Sequence, residues 1–589
     1  LTISINKNFI DDQSKNKIMQ TSHVFKFGFI VAAIALLASC TKTNTQGKLI
    51  PKEAAIVVRV DGKSLSAKLP WEEIKQNPLF NEIYGDSSLP ATLKSLLNDL
   101  ESAGIDTKSD LLFFAIKDSL GGYVGFEGTI KDEKIFKTFN QTITENGTKS
   151  ENDGVQFISK SPACVGFTKE KFVYVFDAPQ ISQMDELSKR MIRDSIDISP
   201  RTTRDVGATC KSIFALKESN SLAKDEKFTG LMKEKADVQF WMNAEELSKD
   251  GSSTAALAMV NLEKFYKGNI TTASMDFDAG KIMVKAKTYA SEEMIKLFKK
   301  YSGGKVNEEM MKRMPGKDVV AIMALNFKPE AIRDLIKMTG LDGLINMGVQ
   351  KIGFSMDEFI KANNGDVFFG ISDLFLKPDT TANNFKNDEQ AFTMSQKPSF
   401  NFVFAASIGD KDAFNKIINA GKKMGDEYKS DSSKFPLAFN SNGNYFVMSN
   451  SRQNVDQYLG SASANFDFIS KINGEPIGAY VNIQTLLKAF ESEAIKDSSA
   501  KIMYDASLKM WDNILWKGGN YSDGGIMQSG EINLVDKTTN SLKQLNQYLS
   551  KFNDIYKTQR AKQKQDEMAF EDFKLMDTIP PPPPSAKTK

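Results

Sequence analysis

Ile56-Val57-Val58-Arg59-Val60-Asp61 and Val319-Val320-Ala321-Ile322-Met323-Ala324-Leu325-Asn326 are the stretches on which the fold reading turns. Each is a β-rich apolar run that stops at a short polar side chain, after which a helical pattern begins. Further pairs follow in the same order. Leu112-Phe113-Phe114-Ala115-Ile116 is echoed by Val367-Phe368-Phe369-Gly370-Ile371, and Ile130-Lys131-Asp132 leads to Phe136 as Ile408-Gly409-Asp410 leads to Phe414. Val238 to Asn243 matches Ile477 to Asn482. A closing helix is expected at Phe265-Tyr266-Lys267-Gly268-Asn269 and at Leu515-Trp516-Lys517-Gly518. Strands at Ile282–Ala286 and Ile532–Val535 each lead into a last helix. Six pairs in one order predict two diverged copies of a unit, at residues 50–301 and 316–552.

Asp61, Asp132, Asn243, Asn326, Asp410 and Asn482 stand where a strand ends and a helix starts. There a short polar side chain can accept a bond from an unpaired N–H of the first helical turn, and Asn243 with Glu246 resembles a capping box. Capping is the simpler reading of these six than a recurring functional site. Tyr123–Thr129, Phe172–Phe176, Phe402–Ala406 and Tyr445–Met448 read as short strands between polar turns. Helical periodicity is expected over 93–100, 295–298, 331–338 and 504–515, the last carrying Tyr504, Leu508, Trp511 and Leu515 on one face. Short strands joined by polar loops favour antiparallel pairing, so the predicted class is α+β, two mostly antiparallel sheets covered by helices. Residues 377–398 read as a polar insertion and 557–589 as a disordered tail. The run Pro580 to Pro584 favours extended polyproline, a flexible end or a ligand for an aromatic groove.

The start of the sequence has its own logic. Residues 1–18 read as an upstream segment outside the folded protein. Met19, Lys26 and the apolar run Phe27 to Leu37 have the proportions of a signal peptide over 19–39, too short for a span of roughly 20 apolar residues. Leu37-Ala38-Ser39-Cys40 resembles the lipobox of bacterial lipoproteins. That resemblance implies cleavage between Ser39 and Cys40, lipidation of Cys40, and a tether over 40–49. Of 76 basic and 74 acidic residues, four and two lie before Cys40, so the processed chain balances to zero. No basic footprint for nucleic acid remains. The single histidine, His23, also lies in the removed segment, which excludes Ser-His-Asp and Cys-His hydrolases and His-ligated zinc. Cys164 and Cys210 are left, either as a disulfide or as two buried thiols.

No nucleotide or calcium motif is complete. Gly62-Lys63-Ser64 has Val57 where a P-loop needs glycine. Ser498-Ser499-Ala500-Lys501 offers the spacing of a Ser–Lys pair without its companion motifs. Trp71, Trp241, Trp511 and Trp516 could stack on glycans, but core packing is the simpler role. No cofactor or metal site is expected.

Ile50-Pro51-Lys52-Glu53-Ala54-Ala55-Ile56-Val57-Val58, Lys63-Ser64-Leu65, Asp110-Leu111-Leu112-Phe113-Phe114 and Phe240-Trp241-Met242-Asn243, behind the lipobox, resemble the domain-of-unknown-function 4836 lipoproteins of Bacteroidota. The resemblance implies an envelope location and no known activity. Thr41-Lys42-Thr43-Asn44-Thr45 lacks the acidic residues of surface-displayed relatives, so the expectation is a lipid-anchored protein of the outer membrane facing the periplasm. Two functional readings follow. One is a non-enzymatic binding or scaffold protein whose cleft between units holds a partner protein, lipid or glycan. The other is an envelope hydrolase built on carboxylates or a Ser–Lys pair.

Overall fold

The computed structural model describes residues 46–85, 94, 99–178, 204–248, 263–378, 396–427, 437–460, 464–555 and 557. The expected signal segment with Ser39 and Cys40, most of the helix at 93–100, the middle of the insertion, and the proline-rich tail lie outside the described residues.

Among the described residues eighteen strands form one sheet in which every strand pair is antiparallel, so the class is α+β. The first half contributes β1 (Ile56–Val60), β2 (Leu111–Ile116), β3 (Tyr123–Thr129), β4 (Thr148–Asn152), β5 (Val155–Lys160), β6 (Ala163–Phe167), β7 (Lys171–Asp177), β8 (Val238–Asn243), β9 (Ile270–Asp278) and β10 (Lys281–Tyr289). The second contributes β11 (Val319–Asn326), β12 (Asn363–Pro378), β13 (Gln396–Ile408), β14 (Ala438–Ser441), β15 (Tyr445–Ser449), β16 (Ile477–Asn482), β17 (Trp511–Ser522) and β18 (Gly525–Leu534). In space the first half runs β10-β9-β8-β1-β2-β3-β7-β6-β5-β4. The second runs β18-β17-β16-β11-β12-β13-β15-β14. The halves meet where β10 pairs with β18, from Lys281 opposite Asn533 to Thr288 opposite Ile526.

The principal helices are α1 (Gly62–Lys68), α2 (Glu133–Ile143), α3 (Val206–Phe214), α4 (Glu226–Lys233), α5 (Glu292–Tyr301), α6 (Glu330–Thr339), α7 (Asp342–Ile352), α8 (Met356–Ala362), α9 (Lys411–Glu427), α10 (Arg452–Leu459), α11 (Ile483–Ala489), α12 (Ser498–Met510) and α13 (541–555). Two of them cross between halves. Asn77, next to the first-half helix Trp71–Lys75, donates to the Asn546 carbonyl and side chain at 2.6 and 2.8 Å, and Lys543 of α13 pairs with Glu73 at 2.6 Å. Reciprocally, α5 reaches α6, where Lys300 and Tyr301 both bond Asp334, at 2.8 and 2.7 Å.

Strand alternation sets one core on the same side of each half. Val57, Leu112, Phe114, Val173, Val175 and Trp241 join the helical Cys210 and Phe228 in the first. Ile322, Ala324, Phe368, Val403, Val447 and Tyr480 join Met310, Val455 and Tyr458 in the second. Burying a Phe or Leu side chain stabilises by about 1.5–3 kcal/mol, so these faces hold the sheet to its helices.

Three local expectations need correction. Helix α12 stops at Met510, and Trp511 is already extended, with φ −93° and ψ 129°. Trp511 and Leu515 therefore lie in β17, where a bulge between Trp511 and Asn513 puts them on opposite sides, Leu515 in the core and Trp511 against Tyr548. Leu515–Gly518 are likewise strand, not a closing helix. Finally, the insertion is entered by paired strand: Lys377 lies opposite Lys397 and Pro378 opposite Gln396, so both ends of 377–398 extend the β12–β13 hairpin.

Candidate functional site

The side of the sheet away from these cores differs between halves. Register carries it unbroken across the seam, from Val60 through Val238, Met275, Val284, Gly530, Trp516 and Ala479 to Met323. In the first half two more clusters cover parts of it. Val60, Leu65, Leu69, Phe80 and Leu542 form one, and Phe136, Phe167 and Phe172 another.

In the second half the same side is Ala321, Met323 and Leu325 on β11, Val367, Phe369 and Ile371 on β12, and Phe402, Phe404 and Ala406 on β13. Phe446 and Met448 on β15 and Ala479 and Val481 on β16 complete it. All thirteen are apolar, and none is buried; Met323 is 44 % exposed. Their neighbours on the opposite side, such as Phe368, Val403 and Val447, are at 0 %. Helices do lie over the face: Phe414 of α9 packs on Phe446 at 5.7 Å, and α11 touches β11 and β12. Beside them, α8 packs on α9, and α6 on α7 and α8. Helix α7 buries no residue, and its Leu344 and Met347 are 64 % and 56 % exposed. The result is an apolar sheet face that the helices above it leave half-buried.

An opening of about 420 Å³ lies at the other side of the same half. Lys317, Asp467, Lys471, Phe468, Tyr480 and Asn513 line it. Phe468 lies parallel over Tyr480 at 3.9 Å, and burial raises the proton affinity of the Tyr480 phenol. Its rim charges are mixed, with no convergence of one sign.

The residues singled out in the sequence take structural roles. Asp61, Asp132, Asp410 and Asn482 accept from the backbone N–H three residues on, at 2.8 to 3.0 Å, and Asn243 accepts from Glu245 and Glu246. Asn326 is the exception. Helix α6 begins later, at Glu330, and Asn326 instead donates to Asp366 at 2.6 Å, which also accepts from Asn307. Lys501 of the Ser–Lys spacing binds Asp505 at 2.9 Å, whose bond raises its proton affinity, opposite to what a neutral lysine base needs. The carboxylates Asp237 and Asp276 are close, and burial followed by the Asp237 charge raises Asp276. Asp237 is already engaged by Ser64, Lys68 and the Phe277 N–H, at 2.5, 2.5 and 2.6 Å, which makes it a structural knot.

Trp241 is a core residue against Phe228, Trp71 packs on Phe80, Trp511 on Tyr548, and Trp516 lies over Gly530. Cys164 and Cys210 are brought together as buried free thiols. Among the described residues no group of three His, Cys, Asp or Glu side chains could hold a metal, and no helix is long and apolar enough to cross a membrane. This half-buried face escaped sequence reasoning. Its signal was present as continuous apolar runs in β11–β13, but a run apolar on both sides does not say which face is covered less.

A family model described as "Domain of unknown function (DUF4836)" matches residues 47–452. No curated protein matches the chain. Among solved structures, crystal forms IV and III of TP0453 are each 6% identical with a TM-score of 0.22, covering 41% and 42% of this chain and 79% of theirs. Similarity at that level carries no argument about fold or function.

Proposed function

This chain belongs to the DUF4836 family, and from that premise we propose that it is a non-enzymatic binding protein of the bacterial envelope, holding an acyl-chain lipid between the half-buried apolar sheet face of its second half and the helices over it. The observation behind this reading is the sheet face with thirteen apolar and no buried positions. Water against such a face is unfavourable by about 25 cal/mol per Å², so an apolar occupant gains what the helices leave unburied. A glycan would need polar groups placed among the apolar ones, and the thirteen positions of this face, on β11, β12, β13, β15 and β16, offer none. A folded partner protein would collide with α9 and α11 above it. Flexible hydrocarbon can lie along the face beneath these helices. The lipobox-like Leu37–Cys40 supports a lipid anchor on Cys40, and the uncharged or basic Thr41–Thr45 supports a periplasm-facing outer-membrane position.

We infer further that the halves diverged from one duplicated unit. The shared neighbour order β9-β8-β1-β2-β3-β7 and β17-β16-β11-β12-β13-β15 supports it.

The test is displacement of a fluorescent fatty acid from the purified full chain by phospholipid, with lipids co-purifying from membranes identified by mass spectrometry. Phe404→Glu and Met323→Asp are expected to lower probe affinity at least tenfold with unchanged circular dichroism. Unaltered probe binding in both variants, or no binding by the folded parent, overturns the proposal.

A further inference from the structure

Cys164 and Cys210 stand far apart in the chain and meet in the first core. Cys164 lies in β6, opposite Ser159 of β5 and Val175 of β7. Cys210 lies in α3, the helix that packs across β5, β6 and β7. Their exposures are 1% and 0%. Each thiol is the other's hydrogen-bond partner. The Cys210 sulfur also approaches the Val173 carbonyl at 3.8 Å, and a Cβ on Gly166 would come within 3.0 Å of it. A glycine at 166 thus leaves the space in which the helix sulfur sits directly on the sheet, beside Cys164.

We propose that Cys164 and Cys210 form an oxidisable pair that closes to an intramolecular disulfide and fastens α3 to the sheet. The two thiols are not equivalent. The bond from Cys210 holds Cys164 below the ordinary thiol range, while the same bond and burial push Cys210 up. With α3 open that bond is absent, and the first nucleophile is Cys164, held in β6 where lifting the helix uncovers it. Its thiolate attacks the disulfide of a dithiol oxidoreductase, or of oxidised glutathione in vitro, forming a mixed disulfide and releasing one thiolate. Cys210 then loses its proton, attacks the Cys164 sulfur and expels the second thiolate. Two protein thiols are oxidised and one donor disulfide is reduced to two thiols. With both sulfurs buried, the exchange takes place before α3 seats or while it is locally open. Closing the loop between 164 and 210 restricts the unfolded chain, so the oxidised form is the more stable one.

The full chain is unfolded, reduced, and refolded with oxidised and reduced glutathione. Maleimide is then added under denaturing conditions and the peptides are mapped. The expected result is that label on the Cys164 and Cys210 peptides falls from two to none, with a linked peptide two hydrogens lighter. The urea midpoint of that protein should exceed that of the same protein refolded in reductant, a difference Cys164→Ala abolishes. If Cys164→Ala does not fold, the comparison of the two refolded parents stands alone. Both thiols labelling fully after oxidising refolding to a folded protein overturns the proposal, as does a map in which either is joined to Cys40.

Discussion

Glu358 is a half-buried residue whose charge is held by several partners at once. Its carboxylate pairs with Lys416 at 2.6 Å and accepts from the Ser355 N–H and hydroxyl at 2.7 and 2.9 Å, closing the capping box of α8. The Lys416 bond first, then those from Ser355, lower its pKa from 4.5 to about 2. A depressed folded value means stability that is present above the unfolded pKa and lost as pH falls from about 4.5 towards about 2. The thermal midpoint of the parent should fall across that window more steeply than that of Glu358→Gln, and added salt should narrow the gap. Equal slopes would count against the linkage. Caps of this kind were legible from sequence where donor and acceptor lie three residues apart, as at Asp132 and Asn482. Asn326 was not, because its partner Asp366 is forty positions away on another strand, and local spacing holds no information about it.

Elements were legible where their period was unambiguous. The apolar run of β11, ended by Asn326, and the three-and-four spacing of α6 identify themselves, whereas the helical spacing from Tyr504 to Leu515 runs on into the strand and hid the junction of α12 with β17. Close approach of strands adds a constraint that no propensity reveals. A Cβ on Gly125 of β3 would lie 2.0 Å from Cζ of Phe114 on β2, a ring only 1% exposed. Gly125→Ala should therefore destabilise by about 1–3 kcal/mol through overpacking. Gly230 in α4 has nothing within 4 Å of such a Cβ, and Gly230→Ala should stabilise by ~0.4–1 kcal/mol. Urea midpoints of the two variants moving in opposite directions would verify both, and a neutral Gly125→Ala would refute the packing account.

At the scale of the molecule, the exchange of α5 and α13 makes each half depend on the other. Leu542 fills the cluster with Val60, Leu69 and Phe80, so truncation after residue 540 should loosen the first half, although the cut lies in the second. Hydrogen exchange is expected to rise in β1 and in α1 on truncation; protection unchanged there would sink the interdependence. Sequence repeats suggested two units but could not show this crossing, since contacts between distant segments leave no periodic trace. The seam has a temporal side as well. Lys281 and Asn533 are partners roughly 250 residues apart, so at ~5–20 residues per second β10 waits about 12–50 s during synthesis for β18 to exist. Until then its edge is open to foreign strands. Lys281, Lys285 and Lys287 along that edge are the charges that discourage such pairing, so the strand that will join the halves is made resistant to aggregation while it is alone.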